Sequence, residues 1–419
     1  MSGGIAGSGY DFDREIDRTG TASLKYDGRQ SMFGAQEVIP LWVADMDFAA
    51  PPAVTLALSE RAAHPVYGYT VFPESFYEAL EDWLKGRHGW QIQREWIMVC
   101  PGVVPSLHAV VTAFSEPDTS VIVQPPVYFP FFSAVTSTGR ELVQNPLRLQ
   151  NGRYEIDYDH LERCAEGARL LLLCSPHNPV GRVWSEDELE SILQIAEKHD
   201  LVIFSDEIHA DLVYPAKRHT VLSALAEVSA GSKTSVITAV APSKTFNIPG
   251  LNLSVLVVPN PEHRKKLSQT FDTMHVSASN PFSIVAFEAA YREGRAWLDE
   301  LLVYLQKTRD FVGEFLSAHV PEIRLIDPEG TYLLWLDCRA LMAALGFNDM
   351  QLRRFFVHEA GVGMSPGTLF GSAGSGFMRM NIGAPRRSIE VALENISKAI
   401  KSARHENDSD AKSLDTGIP

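Results

Sequence analysis

Four residues, each placed just after a short apolar run, offer four different chemical capabilities. Lys244 follows Val236–Val240 and supplies an amine that attacks an aldehyde once its site depresses its pKa and leaves it neutral. Asp206 follows Leu201–Phe204 with a carboxylate that can keep a heterocyclic nitrogen protonated. An opposed charge at close range moves such a pKa by ~1–3 units. Asn178, beyond Leu170–Cys174, can donate to a ring oxygen. Gly102 lies in Pro101-Gly102-Val103-Val104-Pro105, which turns from Ile97–Cys100 into the helical run Leu107–Phe114 and offers free N–H groups to a phosphate. Tyr128, in QPPVYFPF after Ser120–Val123, presents a ring face for stacking. An amine, an acid, an amide, a phosphate turn and an aromatic face match the parts of pyridoxal phosphate (PLP). The protonated ring of that cofactor accepts the electrons released at an amino-acid Cα.

Taken singly, each residue has a plainer reading: the lysine as a surface charge, the aspartate as a cap, the tyrosine as packing. What lifts them is a shared position, which depends on the elements beneath. The runs named above, with Leu253–Val258, read as buried strands. Between two of them Ser185 and Glu188 form a capping box, and Leu189, Ile192, Leu193 and Ala196 recur at helical spacing. Strand, helix, strand over so short a stretch is a right-handed crossover, which makes the flanking strands parallel. The expected fold class is α/β: a mostly parallel central sheet with helices on both faces, plus a smaller α+β domain. Ligands bind such sheets at the carboxyl ends of the strands, where these residues fall.

Past Pro281 the pattern changes to a long helical region, Ser283 to Leu316, then runs at Thr331–Leu336 and Phe377–Ile382. The expected organisation is a disordered start at 1–9, a segment at 10–50 packing with the small domain, a large cofactor-binding domain at 51–285, the small domain at 286–404, and a disordered tail at 405–419.

Composition limits the alternatives. The 419 residues are 45% hydrophobic and 21% charged, as in ordinary globular proteins. A formal net charge of −15 argues against gripping nucleic acid or an anionic membrane surface. Cys100, Cys164, Cys174 and Cys338 are scattered without a zinc spacing, and DEIHAD, with His209 and Asp211, has no recognised ligand spacing, so no metal is expected. Reduced thiols and the lack of a basic-then-apolar leader point to the cytoplasm.

At the same residues the sequence resembles a known family. SPHNPVGRVW (175–184), SDEIHADLVY (205–214), APSKTFNIPGLN (241–252) and FMRMNIG (377–383) are similar to motifs of the class I/II PLP-dependent aminotransferase superfamily, fold type I. LWVADMDF (41–48) with SKTFNIPG resembles more narrowly its MalY/PatB branch of cystathionine β-lyases. The resemblance implies that Lys244 carries PLP as a Schiff base, that Asp206 pairs with the ring nitrogen, and that Asn178 contacts the ring oxygen and the substrate. It implies that His209 stands where relatives place a tyrosine near that oxygen, and that Arg379 holds the substrate α-carboxylate beside the backbone of Ala44. It implies a homodimer with shared sites, in which Tyr69, or else Tyr67, reaches the partner's phosphate and Ser279-Asn280-Pro281 lies near the partner's cofactor. Two departures stand out: Asn252 occupies a position where typical members carry arginine, and Ala241 one where they often carry serine. Phosphate binding then rests on Gly102, Val103, Val104 and Ser243.

The expected activity is carbon–sulfur β-elimination from cystathionine or related cysteine S-conjugates, giving a thiol, pyruvate and ammonia, with Lys244 as base and Lys244, Tyr128 or water protonating the sulfur. Transamination shares every step through the carbanion and is the nearest alternative. A regulatory protein-binding role on the same fold is the other.

Overall fold

The computed structural model describes residues 9–229 and 234–415. The chain divides into two compact units: Ala49–Val303 with Glu329–Thr331, and Met1–Phe48 with Tyr304–Pro328 and Tyr332–Pro419. The change of unit falls at Tyr304, inside the helix Arg295–His319, later than the boundary after 285 expected from the pattern.

The larger unit is built on a seven-stranded sheet in the order Ile97–Cys100, Ser254–Val257, Val236–Val240, Val202–Asp206, Ala168–Cys174, Ser120–Val123, Glu141–Gln144. Its central strands are parallel, as expected from their unbroken apolar character. Ser254–Val257 runs antiparallel to both neighbours. The segment before it holds only the turn Pro242–Thr245 and the short helix Pro249–Leu251, neither long enough to recross the sheet, so the chain re-enters from the edge it left. Because Ile97–Cys100 is antiparallel to that reversed strand, the other six strands all end at one edge. Glu141–Gln144 was not legible as a strand, since it lies at the sheet margin with polar, partly exposed residues.

Helices follow their local signals. Ser185 Oγ accepts the Glu188 N–H, and Glu188 Oε2 accepts the Ser185 N–H at 2.8 Å, which starts Glu186–Lys198. The expected helical region 283–316 is two helices, Pro281–Glu293 and Arg295–His319, interrupted at Gly294. A Cβ on Gly294 would lie 2.3 Å from the Phe246 ring. The core beneath the carboxyl edge joins Val103, Leu107, Val121, Leu172, Phe204, Ile237 and Ala241, with Tyr128 and Ile208 packed against it.

The smaller unit has a five-stranded sheet in the order Ile39–Leu41, Val362–Pro366, Phe377–Asn381, Leu333–Asp337, Arg324–Ile326. Its final helix, Arg386–Asp415, continues past 405, where a tail was expected. Extending an existing helix adds one hydrogen bond per residue without new nucleation. Residues 1–8 and 416–419, the rest of the termini expected to be disordered, lie outside the described residues. No helix among the described residues is long and apolar enough to cross a membrane.

Candidate active site

Asp206 is the last residue of its strand, in register with Cys174 and Ala239 on the strands beside it. It is 6% exposed, and its Oδ1 accepts the Ile208 N–H at 3.2 Å. Burial pushes its carboxyl up to about 7, against the opposing pull of the Ile208 N–H and of the Lys244 charge. Lys244 and Asp206 are thus brought within electrostatic reach of each other. Lys244 is half-buried in the single turn Pro242–Thr245, with Ser243 beside it. His209, in the turn after Asp206, is buried.

Asn178 is buried in the loop after Ala168–Cys174, and its carbonyl accepts the Tyr128 N–H at 3.1 Å, which ties the QPPVYFPF segment to it. Tyr128 is half-buried, its ring tilted against Phe129 at 4.9 Å. That loop is pinned by Arg182, which sequence reading missed. The buried guanidinium meets Glu329 at 2.9 Å and Glu188 at 2.7 Å, and donates to the Tyr154 carbonyl. SPHNPVGRVW contained it, but its carboxylate partners are set by the fold.

Gly102 has φ +151 at the N-cap of Val103–Phe114. The first-turn N–H groups of Val103 and Val104 have no carbonyl one turn back to bond, which leaves them for a ligand or water. Asn252 ends the helix Pro249–Leu251 at φ +48, a left-handed conformation that asparagine tolerates. Tyr69 is fully exposed and adds nothing to the buried group within one chain. Tyr67 instead donates to the Ala62 carbonyl at 2.9 Å and packs 5.8 Å from Phe282. Asn280 caps Pro281–Glu293 by accepting the Phe282 N–H at 2.9 Å.

In the smaller unit, Arg379 stands in the middle of Phe377–Asn381, 4% exposed. Its Nη2 donates to the Trp42 carbonyl at 2.9 Å, two residues before Ala44, and its guanidinium lies 4.8 Å from the Phe370 ring centre. The WVADMD loop is held by residues the sequence reading did not single out. Asn381 Nδ2 donates to the carbonyls of Val43 (2.7 Å) and Asp45 (2.6 Å), on either side of Ala44, whose own carbonyl accepts from Tyr332 OH at 3.0 Å. Arg18 pairs with Asp45 and Asp47 at 2.6 and 2.7 Å, and the fully buried Lys25 with Asp47 at 2.8 Å. Asn381 lay within FMRMNIG; nothing in the polar segment around Arg18 and Lys25 marks them.

The family model for aminotransferase class I and II matches residues 36–396. Cystathionine β-lyase PatB of Bacillus subtilis is 39% identical over 93% of this chain and 99% of its own length. Protein MalY of Escherichia coli is 31% identical over 94% and 100%. The crystal structure of cystalysin from Treponema denticola, which contains a pyridoxal 5'-phosphate cofactor, superimposes with a TM-score of 0.89 at 38% identity, covering 94% of this chain and 99% of that one. The architecture is that of fold type I, and the chain belongs to the aminotransferase class I and II family, in its PatB and MalY branch.

Proposed function

We propose that the protein is a PLP-dependent carbon–sulfur β-lyase that cleaves L-cystathionine or related cysteine S-conjugates to a thiol, pyruvate and ammonia. The observation that carries this reading is a half-buried lysine acting electrostatically on a buried acid at the carboxyl edge, in a chain 39% identical to PatB over 93% of its length. The residues fit the cofactor. Burial makes ionised Asp206 costly, and a cationic ring nitrogen offsets that cost. The N–H groups of Val103 and Val104 after Gly102, with the Ser243 hydroxyl, suit a phosphate. Bound there, PLP supplies an aldehyde that joins amines and a protonated ring that draws electrons from Cα.

Lys244 would hold the cofactor through its amine and, when freed, would take the substrate Cα proton on Nζ. Asp206 would keep the ring nitrogen protonated, Asn178 and His209 would hold the ring oxygen, and Tyr128 would cover a ring face. Arg379 grips the α-carboxylate with two parallel N–H donors, beside the Ala44 backbone. The Cβ–S bond then breaks with its electron pair leaving on sulfur, which Lys244, Tyr128 or water protonates. Water releases the remaining three-carbon fragment as pyruvate and ammonia.

The same reading makes the protein a cytoplasmic homodimer. The four cysteines are unpaired thiols, and Val66, Tyr67, Tyr69 and Val71 form an exposed apolar strip of the kind that marks an interface. Across it Tyr69 would reach the partner's phosphate. The test is incubation with cystathionine, with and without a keto-acid acceptor. Pyruvate and free thiol without acceptor are expected; turnover only with acceptor would replace elimination by transamination, and cofactor binding without either reaction would favour a binding role.

A further inference from the structure

A single helical turn has little stability of its own in water, so the placement of Lys244 depends on what holds Pro242–Thr245. Two residues after the lysine, Phe246 is fully buried, its ring 5.5 Å from Trp83, 5.9 Å from Tyr291 and 6.3 Å from Trp297. Directly after the lysine, the buried Thr245 donates through Oγ1 to Asp211 Oδ2 at 3.1 Å. Asp211 Oδ1 accepts from Trp83 Nε1 at 3.0 Å and faces His88 Nε2 at 2.8 Å. Burial pushes this carboxyl up, but the His88 hydrogen bond and charge, with Arg87 and Trp83, outweigh it and hold Asp211 below the usual carboxylate range.

The frame continues to the other side of the site. The His88 ring stands edge-on to His219 at 5.7 Å. His219 Nε2 lies 2.6 Å from Glu207 Oε2, and Glu207 Oε1 accepts the Leu222 N–H at 3.1 Å and the Ser205 hydroxyl at 2.9 Å. Glu207 is the neighbour of Asp206 as Thr245 is of Lys244. Lys244 and Asp206 are therefore each followed by a residue tied to the same pair of packed histidines, Thr245 to His88 through Asp211 and Glu207 directly to His219.

We propose that Asp211 is a positioning residue for Lys244, acting through the Thr245 hydroxyl and braced by His88. It touches neither substrate nor cofactor. A turn already set in place spares the ordering cost that a loose one would incur when the lysine joins the cofactor. This rests on the reading of Lys244 as the cofactor-bearing lysine.

The test uses the full chain, stripped of cofactor and titrated with PLP. Thr245→Val keeps the shape and removes the hydroxyl. It should raise the PLP dissociation constant about tenfold, as loss of a buried hydrogen bond to a carboxylate does, and weaken the circular dichroism of the bound cofactor. Thr245→Ser should restore both. If Thr245→Val does not fold, Asp211→Asn is read in the same way. A folded Thr245→Val with wild-type affinity and dichroism overturns the proposal, as does a Thr245→Ser equally impaired. Borohydride reduction of the wild type with PLP keeps the two readings apart. Label on Lys244 leaves the variants to decide the role of Asp211, whereas no label there removes the functional reading and this proposal with it.

Discussion

Asp206 and Arg379 are both buried ionic side chains, 6% and 4% exposed, yet different kinds of structure hold them. Asp206 is placed by backbone topology, as the end of a strand between two parallel neighbours. Its charge is poorly compensated, since burial outweighs the Ile208 N–H and Lys244 and lifts its carboxyl to about 7. Arg379 also sits in a strand, but its guanidinium is held by a loop: the Trp42 backbone carbonyl takes one of its N–H groups, and the side chains of Asn381, Tyr332, Arg18 and Lys25 fix the loop that supplies that carbonyl. The first site stores an electrostatic deficit that a cationic ligand group relieves. The second spends its interactions on holding a rigid shape before any ligand arrives.

If the carboxyl edge is where the chemistry resides, the largest effect belongs to Lys244→Ala. Loss of the base alone lowers turnover by about 10⁴-fold, at the upper end for general base catalysis. Pyruvate release from cystathionine measures it, and a variant retaining full turnover would remove the edge from the mechanism altogether.

Asp206→Asn tests the deficit itself. In the holoenzyme it should lower kcat by about 10–1000-fold, the span of a charge pair worth 1–3 pKa units. Without cofactor its effect is reversed. A carboxyl at about 7 when folded holds a proton that the unfolded chain releases near 3.8, so wild-type stability falls as pH rises from about 4 to about 7. The amide carries no such penalty. Cofactor-free Asp206→Asn should therefore be the more stable form at pH 8, by on the order of 2–4 kcal/mol, and the gap should close by pH 4. Denaturant melts at the two pH values decide it, and a gap that is the same at both would mean that Asp206 is ionised without cost.

How far each region was legible follows from the same contrast. Strand ends are announced by apolar runs, so Asn178, Asp206, Lys244 and Gly102 could be gathered on one edge before any coordinates. The direction of Ser254–Val257 was not so announced, because it depends on whether the preceding loop recrosses the sheet. Lys25 against Asp47, Asn381 against Val43 and Asp45, and Asp211 against His88 and Thr245 join residues far apart in the chain, and no periodicity encodes such a meeting. Arg379 itself was legible only through the motif around it.

Asn381→Ala would put the rigid second region under strain. It takes the amide donor from the Val43 and Asp45 carbonyls, which keep the Asp45 N–H at 3.0 Å and Lys25 Nζ at 3.3 Å, so the cost is about 0.5–1.5 kcal/mol for each hydrogen bond lost. The loop beside Arg379 loosens, so KM for cystathionine should rise by about 10-fold while the PLP dissociation constant stays unchanged, a split that steady-state kinetics and absorbance titration read together. Equal loss of both would mean that the two regions are not independent.

The smallest effect should come from Ser185→Ala, which removes a device of the larger unit that is purely local. Ser185 Oγ caps Glu186–Lys198, and Glu188, the other half of the box, has a second attachment in the Arg182 guanidinium at 2.7 Å. The helix start therefore keeps one anchor when the hydroxyl is lost. Stability should fall by ~1 kcal/mol, the usual cost of an N-cap, with kcat and PLP affinity unaltered. Thermal melts beside steady-state assays check it. A drop in kcat instead would show that the crossover helix steers Asn178 through Arg182, and that the edge is less self-sufficient than its strand ends suggest.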